Sequence, residues 1–150
     1  MNKLDNVYAF ADECSIDIVD DKFSNTKKAV CMHITPDKVI FIDKPSVESD
    51  CEEVSILAEE IGHFETGALY IITSTHNTPI ARANRIKYEA KARHWAFKKY
   101  LPPHEIAQAI EHEGSDDYAI AEYCSVTVCF LRDAIEYYQS LGVKFEVGAA

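Results

Sequence analysis

The chain has 150 residues, 47% of them hydrophobic, enough for one domain with a sizeable core. Its formal net charge of −10 opposes unspecific phosphate contacts and adhesion to anionic membrane surfaces. No apolar stretch reaches transmembrane length, and Met1-Asn2-Lys3-Leu4-Asp5 lacks the apolar core of a signal sequence. The expectation is a single domain over 1–150, cytoplasmic, with neither nucleic acid nor a membrane as partner. Five cysteines (Cys14, Cys31, Cys51, Cys124 and Cys129) agree with this: the number is odd, no C-x-x-C occurs, and most lie in apolar runs. They read as small buried hydrophobes in a reducing compartment.

In chain order, Val7–Ala11 belongs to a short first helix ending near Cys14. Ile16–Asp20 alternates as a strand or strand-like edge, and Asp21–Thr26 is a polar loop. Ala29–Thr35 and Lys38–Asp43 are strands on either side of a Pro36-Asp37 turn signal, so they form a hairpin. In the first of these, Val30, Met32 and Ile34 share one side, and Cys31 and His33 the other. His33 reads as a sheet-face residue.

A helix follows. Val54, Leu57, Ala58 and Ile61 fall at i, i+3, i+4 and i+7, one apolar face. Ser49-Asp50-Cys51-Glu52 fits a capping box, and Gly67 is a plausible stop. Gly62 lies inside this helix, where Gly costs roughly 1 kcal/mol relative to Ala; it makes sense if something packs close against the backbone. Leu69–Ile72 is a short apolar run, and Ser74–Pro79 a loop carrying His76. The next helix runs from about Ile80 to Tyr100, with Ile86, Ala90, Phe97 and the Ala92-Trp95-Ala96 cluster as its apolar surface. Pro102-Pro103 ends it, and His104–Glu111 begins another.

Asp117–Cys124 and Val126–Gln139 are two helices joined by a tight turn at Ser125 within Ser115–Ser140, with Ala121, Ser125 and Leu131 at helix-turn-helix spacing. Five acidic side chains (Asp116, Asp117, Glu122, Asp133 and Glu136) oppose one basic, Arg132. That balance repels phosphate, so the pair reads as packing on the core rather than on DNA. The chain contains no internal repeat, low-complexity tract or Gly-rich phosphate loop.

The chemistry centres on Leu57-Ala58-Glu59-Glu60-Ile61-Gly62-His63. Glu59 and His63 stand one helical turn apart, with Glu60 between them. The zinc-peptidase pattern H-E-x-x-H has this shape: two ligands share a helix face, and the Glu acts on a metal-activated water. The first position here holds Glu59 instead of His. The plain alternative is a solvated acidic face formed by Glu52, Glu53, Glu59 and Glu60, with His63 responding to a helix C-terminus. Glu89, with Arg85 at i−4 and Arg93 at i+4, reads by itself as a surface ion-pair ladder.

Three blocks occur in order: Ile56–His63 after the Val-Ile-Phe-Ile-Asp hairpin strand, Tyr88–Ala96 leading into Tyr100-Leu101-Pro102, and Ala119–Val126. Together they resemble the ImmA/IrrE metallo-endopeptidase family, common on phages and mobile elements of bacteria, over roughly Ala11–Gly142. The resemblance implies an α+β, zincin-like fold: a small antiparallel sheet, an active-site helix and a helical remainder. It implies a metal-dependent hydrolase that cleaves a helix-turn-helix phage-type repressor. Carried over by position, Glu59, His63 and Glu89 would be metal ligands and Glu60 the general base. Catalytic zinc takes three protein ligands and a water. The usual family pattern has His where this chain has Glu59. A Glu/His/Glu set is harder and more anionic, so manganese or iron would be better tolerated beside zinc. The competing expectation from the missing His is a non-catalytic interaction protein on the same fold, an anti-repressor or regulator.

Overall fold

A computed structural model describes residues 1–23, 27–34, 36–68 and 78–146, without the side chains of Cys31, His33 and Ile34. The expectations for His33, for the two faces of the strand that carries it, for Leu69–Ile72 and for the His76 loop lie outside the described residues. The described chain is mixed α/β and mostly helical, with one small sheet. Its helices are α1 (Lys3–Glu13), α2 (Asp50–Thr66), α3 (Pro79–Tyr100), α4 (Pro103–Glu113), α5 (Asp117–Tyr123) and α6 (Val128–Ser140). The strands are β1 (Ile16–Asp20), β2 (Ala29–Ile34) and β3 (Asp37–Ile42).

The sheet is ordered β1-β3-β2 and is mixed rather than antiparallel: β2 pairs antiparallel with β3, and β1 pairs parallel with it. Chain connectivity is the reason. The Asp21 N–H donates to the Ile42 carbonyl (2.9 Å) and the Asp43 N–H to the Lys28 carbonyl (2.8 Å), so the chain leaves β1 and enters β2 at the same end of the sheet. β2 therefore runs against β1, and the hairpin returns β3 parallel to β1. β3 is the strand with two fully buried isoleucines, Ile40 and Ile42, and it takes the centre. Those two residues share one core with Val7 and Ala11 of α1 and with Val54, Leu57, Ala58 and Ile61 of α2.

The ends of α2 follow from local chemistry. Ser49 accepts from the Glu52 N–H (3.1 Å), while the Glu52 carboxylate accepts from the Glu48 N–H (2.7 Å), one residue before the partner a full capping box would use. Lys28, the residue before β2, holds the same carboxylate at 2.7 Å, which ties the entry to that strand to the start of α2. Gly67 ends the helix in the left-handed conformation (φ 65°), where a side chain would be strained. Ser55, one turn further in, accepts from the Thr127 N–H at 3.0 Å and so fixes the entry to α6 on α2.

α3 lies across α2, with small residues facing one another: Ala58 and Gly62 on α2, Ala92 and Ala96 on α3, all buried. A Cβ placed on Gly62 would stand 2.4 Å from the Ala92 carbonyl oxygen. This is the close backbone approach that the helical glycine implied. The first half of α3 differs from expectation. Ile86 is 70% exposed, because the helix meets the core only from Ala92 onward. There Phe10 of α1 stacks near Trp95 (5.7 Å), and Lys3 donates to the Tyr100 carbonyl at 2.7 Å. In the C-terminal pair, Ser125 takes a positive φ (56°) between α5 and α6, and Ala121, Val126 and Leu131 are buried, so the pair is committed to the core. Among the described residues, no helix is long and apolar enough to cross a membrane.

Two stability predictions follow. Gly62→Ala forces a Cβ into backbone that no neighbouring side chain can vacate. Overpacking costs about 1–3 kcal/mol, against at most about 1 kcal/mol returned by the better helix propensity of Ala. Chemical denaturation should show a net loss, and adding Ala92→Gly should not restore stability, since the clash is with the carbonyl. The second concerns Glu52. Burial pushes its carboxyl pKa up, but the Glu48 N–H and Lys28 outweigh this and hold it below its ordinary 4.5. A group with a depressed folded pKa contributes stability above its unfolded value and loses it as pH falls. Glu52→Gln should lower stability by roughly 1 kcal/mol at pH 7, with the difference shrinking as pH drops below 4.5.

Candidate functional site

The close α2–α3 packing brings four charged or titratable side chains together in two cross-helix pairs. His63 Nε2 lies 3.4 Å from Glu89 Oε2, and Arg93 Nε lies 3.4 Å from Glu59 Oε1. On each helix the two members are four residues apart, one turn, so they share a face. The earlier residue of α2 meets the later residue of α3, which shows that the two helices run in opposite directions. Arg93 also reaches Asp133 Oδ2 on α6 at 3.9 Å.

His63 is buried, 6% exposed, rather than lying on a solvated face. Its Nδ1 is 2.8 Å from the Ala68 carbonyl oxygen. A carbonyl only accepts, so Nδ1 carries a hydrogen and Nε2 is the nitrogen presented to Glu89. Burial is the largest influence on this imidazole and pushes its pKa down. The Glu89 carboxylate, the Ala68 carbonyl and the charge of Glu60 together prevail, leaving it above its ordinary 6.5.

Glu59 is half-buried, its side chain 34% exposed. Burial pushes its carboxyl pKa up to about 6; Arg93 opposes this, while Glu60, Glu89 and Asp133 add to it. Glu60, half-buried between Glu59 and His63 in sequence, is close enough to act electrostatically on both. The solvated-face reading thus fails at His63, which α3 covers, while Glu59 stays partly exposed beside Arg93. Glu89 is more than a ladder residue along α3: its carboxylate also reaches across to His63.

The structure joins Glu89 to His63 and gives Glu59 an arginine partner. Among the described residues, no three His, Cys, Asp or Glu side chains are gathered in a group that could hold a metal ion. The donors can be tested one by one against such a group. His63 fits, with Nδ1 anchored by a carbonyl and Nε2 aimed at a carboxylate, the support that metal-binding histidines receive. Glu89 fits as the adjacent oxygen donor. Glu59 stands at the matching position, one turn before His63, but its carboxylate is engaged by Arg93.

In the sequence Arg93 reads only as a ladder partner of Glu89 and Asp133 only as part of an acidic helix pair, and nothing marks the Ala68 carbonyl. The available signal was the equal four-residue spacing on two helices, Glu59/His63 and Glu89/Arg93, which matches unlike charges when antiparallel helices meet. Beside the site, a groove between α3 and α6 is lined by His94, Phe97, Asp133, Glu136 and Tyr137. His94 stacks on Tyr137 there, with ring centroids 3.9 Å apart.

No family model matches the chain, and no solved structure matches it. Over 71 residues it is 28% identical to serine/threonine-protein kinase TAO3 of Mus musculus, a stretch covering 47% of this chain and 8% of the kinase. The chain spans under a tenth of that protein's length, so the similarity carries no activity over to it.

The site predicts a pH response of the metal-free protein. A histidine whose folded pKa is raised stabilises the fold fully below its unfolded value, and the contribution is lost as pH rises through the folded value. The His63 ring should titrate above 6.5 by NMR. Glu89→Gln should lower that midpoint, because burial then meets less opposition. An unchanged midpoint in Glu89→Gln would show that the His63–Glu89 contact does not form in solution.

Proposed function

We propose that this chain is a metal-dependent endopeptidase-type protein of zincin-like build, acting on a helix-turn-helix repressor of phage type. The observation that carries the reading is the meeting of His63 Nε2 and Glu89 across two helices, 3.4 Å apart, with Nδ1 fixed by a backbone carbonyl. The resemblance of three ordered sequence blocks to the ImmA/IrrE family supports it. In this reading His63, Glu89 and Glu59 hold the ion, with Glu59 leaving Arg93 to do so. Zinc, or manganese or iron in its place, would supply Lewis acidity toward a water and a peptide carbonyl.

The chain's own residues do the rest. Glu60, on the turn between Glu59 and His63, takes the proton from the attacking water. The Ala68 carbonyl keeps the His63 ring oriented. The groove between α3 and α6 offers an extended polypeptide a place beside these groups. The net charge of −10 favours approach by the basic face of a DNA-binding repressor.

A second reading has its own observation. The Glu59–Arg93 pair, 3.4 Å apart, places a cation against one of the three expected ligands. On that reading the fold is a non-catalytic interaction protein that binds the repressor without cutting it.

The test combines metal analysis of untagged protein with co-expression beside a helix-turn-helix repressor of phage type. The peptidase reading expects stoichiometric zinc, manganese or iron and a shortened repressor. Glu60→Gln should keep fold and metal but lose activity by about 10²–10⁴-fold, the usual worth of general-base assistance. His63→Ala should lose the metal itself. A repressor that co-purifies intact with metal-free wild-type protein replaces the enzyme with the binder. Equal cleavage by wild type and Glu60→Gln removes Glu60 from the mechanism.

A further inference from the structure

We infer that Arg93 is a positioning residue of the candidate site: in the metal-free protein its guanidinium stands in for the cation at Glu59, and Asp133 is the carboxylate to which it retires when an ion binds. The inference rests on the metal-site reading above and goes beyond it, since nothing in the three-ligand scheme assigns Arg93 or Asp133 a part.

The geometry supports it in three ways. First, Arg93 lies between two carboxylates from different helices, Glu59 on α2 at 3.4 Å and Asp133 on α6 at 3.9 Å. Second, the hold on Glu59 is loose. The Nε atom is buried yet makes no hydrogen bond among the described residues, so its contact with Glu59 is Coulombic and lacks hydrogen-bond alignment. A bound arginine of this kind can be displaced by a divalent ion, where a well-aligned bidentate pair would resist. Third, the site needs a cation whether or not metal is present. Glu60, Glu89 and Asp133 each stand close enough to act on Glu59, and a partly buried carboxylate with such neighbours is costly without a counter-charge. Arg93 lets α2, α3 and α6 assemble first and admit the ion afterwards. Asp133 is the more exposed of its two partners, 49% against 34%, which suits a resting place outside the site.

The experiment measures Zn²⁺ and Mn²⁺ affinity by calorimetry, together with thermal stability of the metal-free protein. Wild type is compared with Arg93→Gln, Arg93→Lys, Asp133→Asn and Lys98→Gln. Arg93→Gln should lower metal-free stability and bind metal about tenfold tighter, the order of effect that one nearby charge exerts. Arg93→Lys, which keeps the cation, should stay near wild type. Asp133→Asn removes the resting place and should weaken metal binding. Lys98→Gln deletes the same charge at an exposed position of α3 and should change nothing, which separates local competition from net charge.

If wild type binds metal but Arg93→Gln binds no tighter, the inference fails and the metal-site reading stands. If wild type binds none and Arg93→Gln does, the inference gains its strongest support. If no variant binds either ion, the metal-site reading fails and takes the inference with it. Asp133→Asn changes an exposed side chain and alters no donor, so it tests the competition even should Arg93→Gln prove too unstable to purify.

Discussion

The contact between Gly62 and the Ala92 carbonyl sets the distance between α2 and α3, and the rest of the site depends on that distance. With a Cβ at position 62 the two backbones could not come together. Ala58, Ala92 and Ala96 extend the same small-residue seam, so the helices meet along it rather than at one point. Side chains flanking such a seam are forced into contact with their opposite numbers. The flanking residues here are not apolar. They are Glu59 and His63 on one helix and Glu89 and Arg93 on the other, and antiparallel packing matches each with a partner of opposite charge.

That matching explains how so anionic a chain can enclose carboxylates at all. Taking a charge out of water costs several kcal/mol unless another group compensates. Glu59 keeps part of its surface in water and gains Arg93; His63 loses its water but gains the Ala68 carbonyl and Glu89. The opposing pulls leave the Glu59 carboxyl pushed up to about 6 and the His63 imidazole above its ordinary value. The same electrostatics give the arrangement its ambivalence. The arginine that compensates Glu59 also occupies one of the positions that the proposed metal site would use.

The remaining elements brace this pair of helices. α1 and the sheet bury the far side of α2 through Ile40, Ile42, Val54 and Leu57, and Lys28 clamps the helix start from the entry to β2. α6 is pinned to α2 by Ser55 and Thr127, and it brings Asp133 within reach of Arg93. Tyr138 of α6 donates to the Leu101 carbonyl at 3.1 Å, fixing the end of α3 against the same helix. A helix-turn-helix spacing thus serves as scaffold here, its apolar residues turned inward.

Much of the fold was legible in the sequence because its signals are local. The apolar period of Val54, Leu57, Ala58 and Ile61, the Ser49 cap and the Gly67 stop each act within one or two turns, and all appear in α2. The hairpin, the extent of α3 and the turn at Ser125 follow from equally short-range rules. The motif residues Glu59, Glu60, His63 and Glu89 were also singled out, and a close approach at Gly62 was implied by its misfit within a helix. What the sequence did not determine are the properties set by contacts between distant segments. Parallel pairing of β1 depends on where the chain enters β2, and the exposure of Ile86 on where α3 leaves the core. Above all, the partner of each carboxylate was decided by tertiary structure. Along the chain, Glu89 sits one turn from both Arg85 and Arg93, and every local rule assigns it to them. Only the approach of α2 across a glycine gives Glu89 a histidine and gives Arg93 to Glu59, because helix–helix contact places side chains closer across the seam than any spacing along one helix can specify.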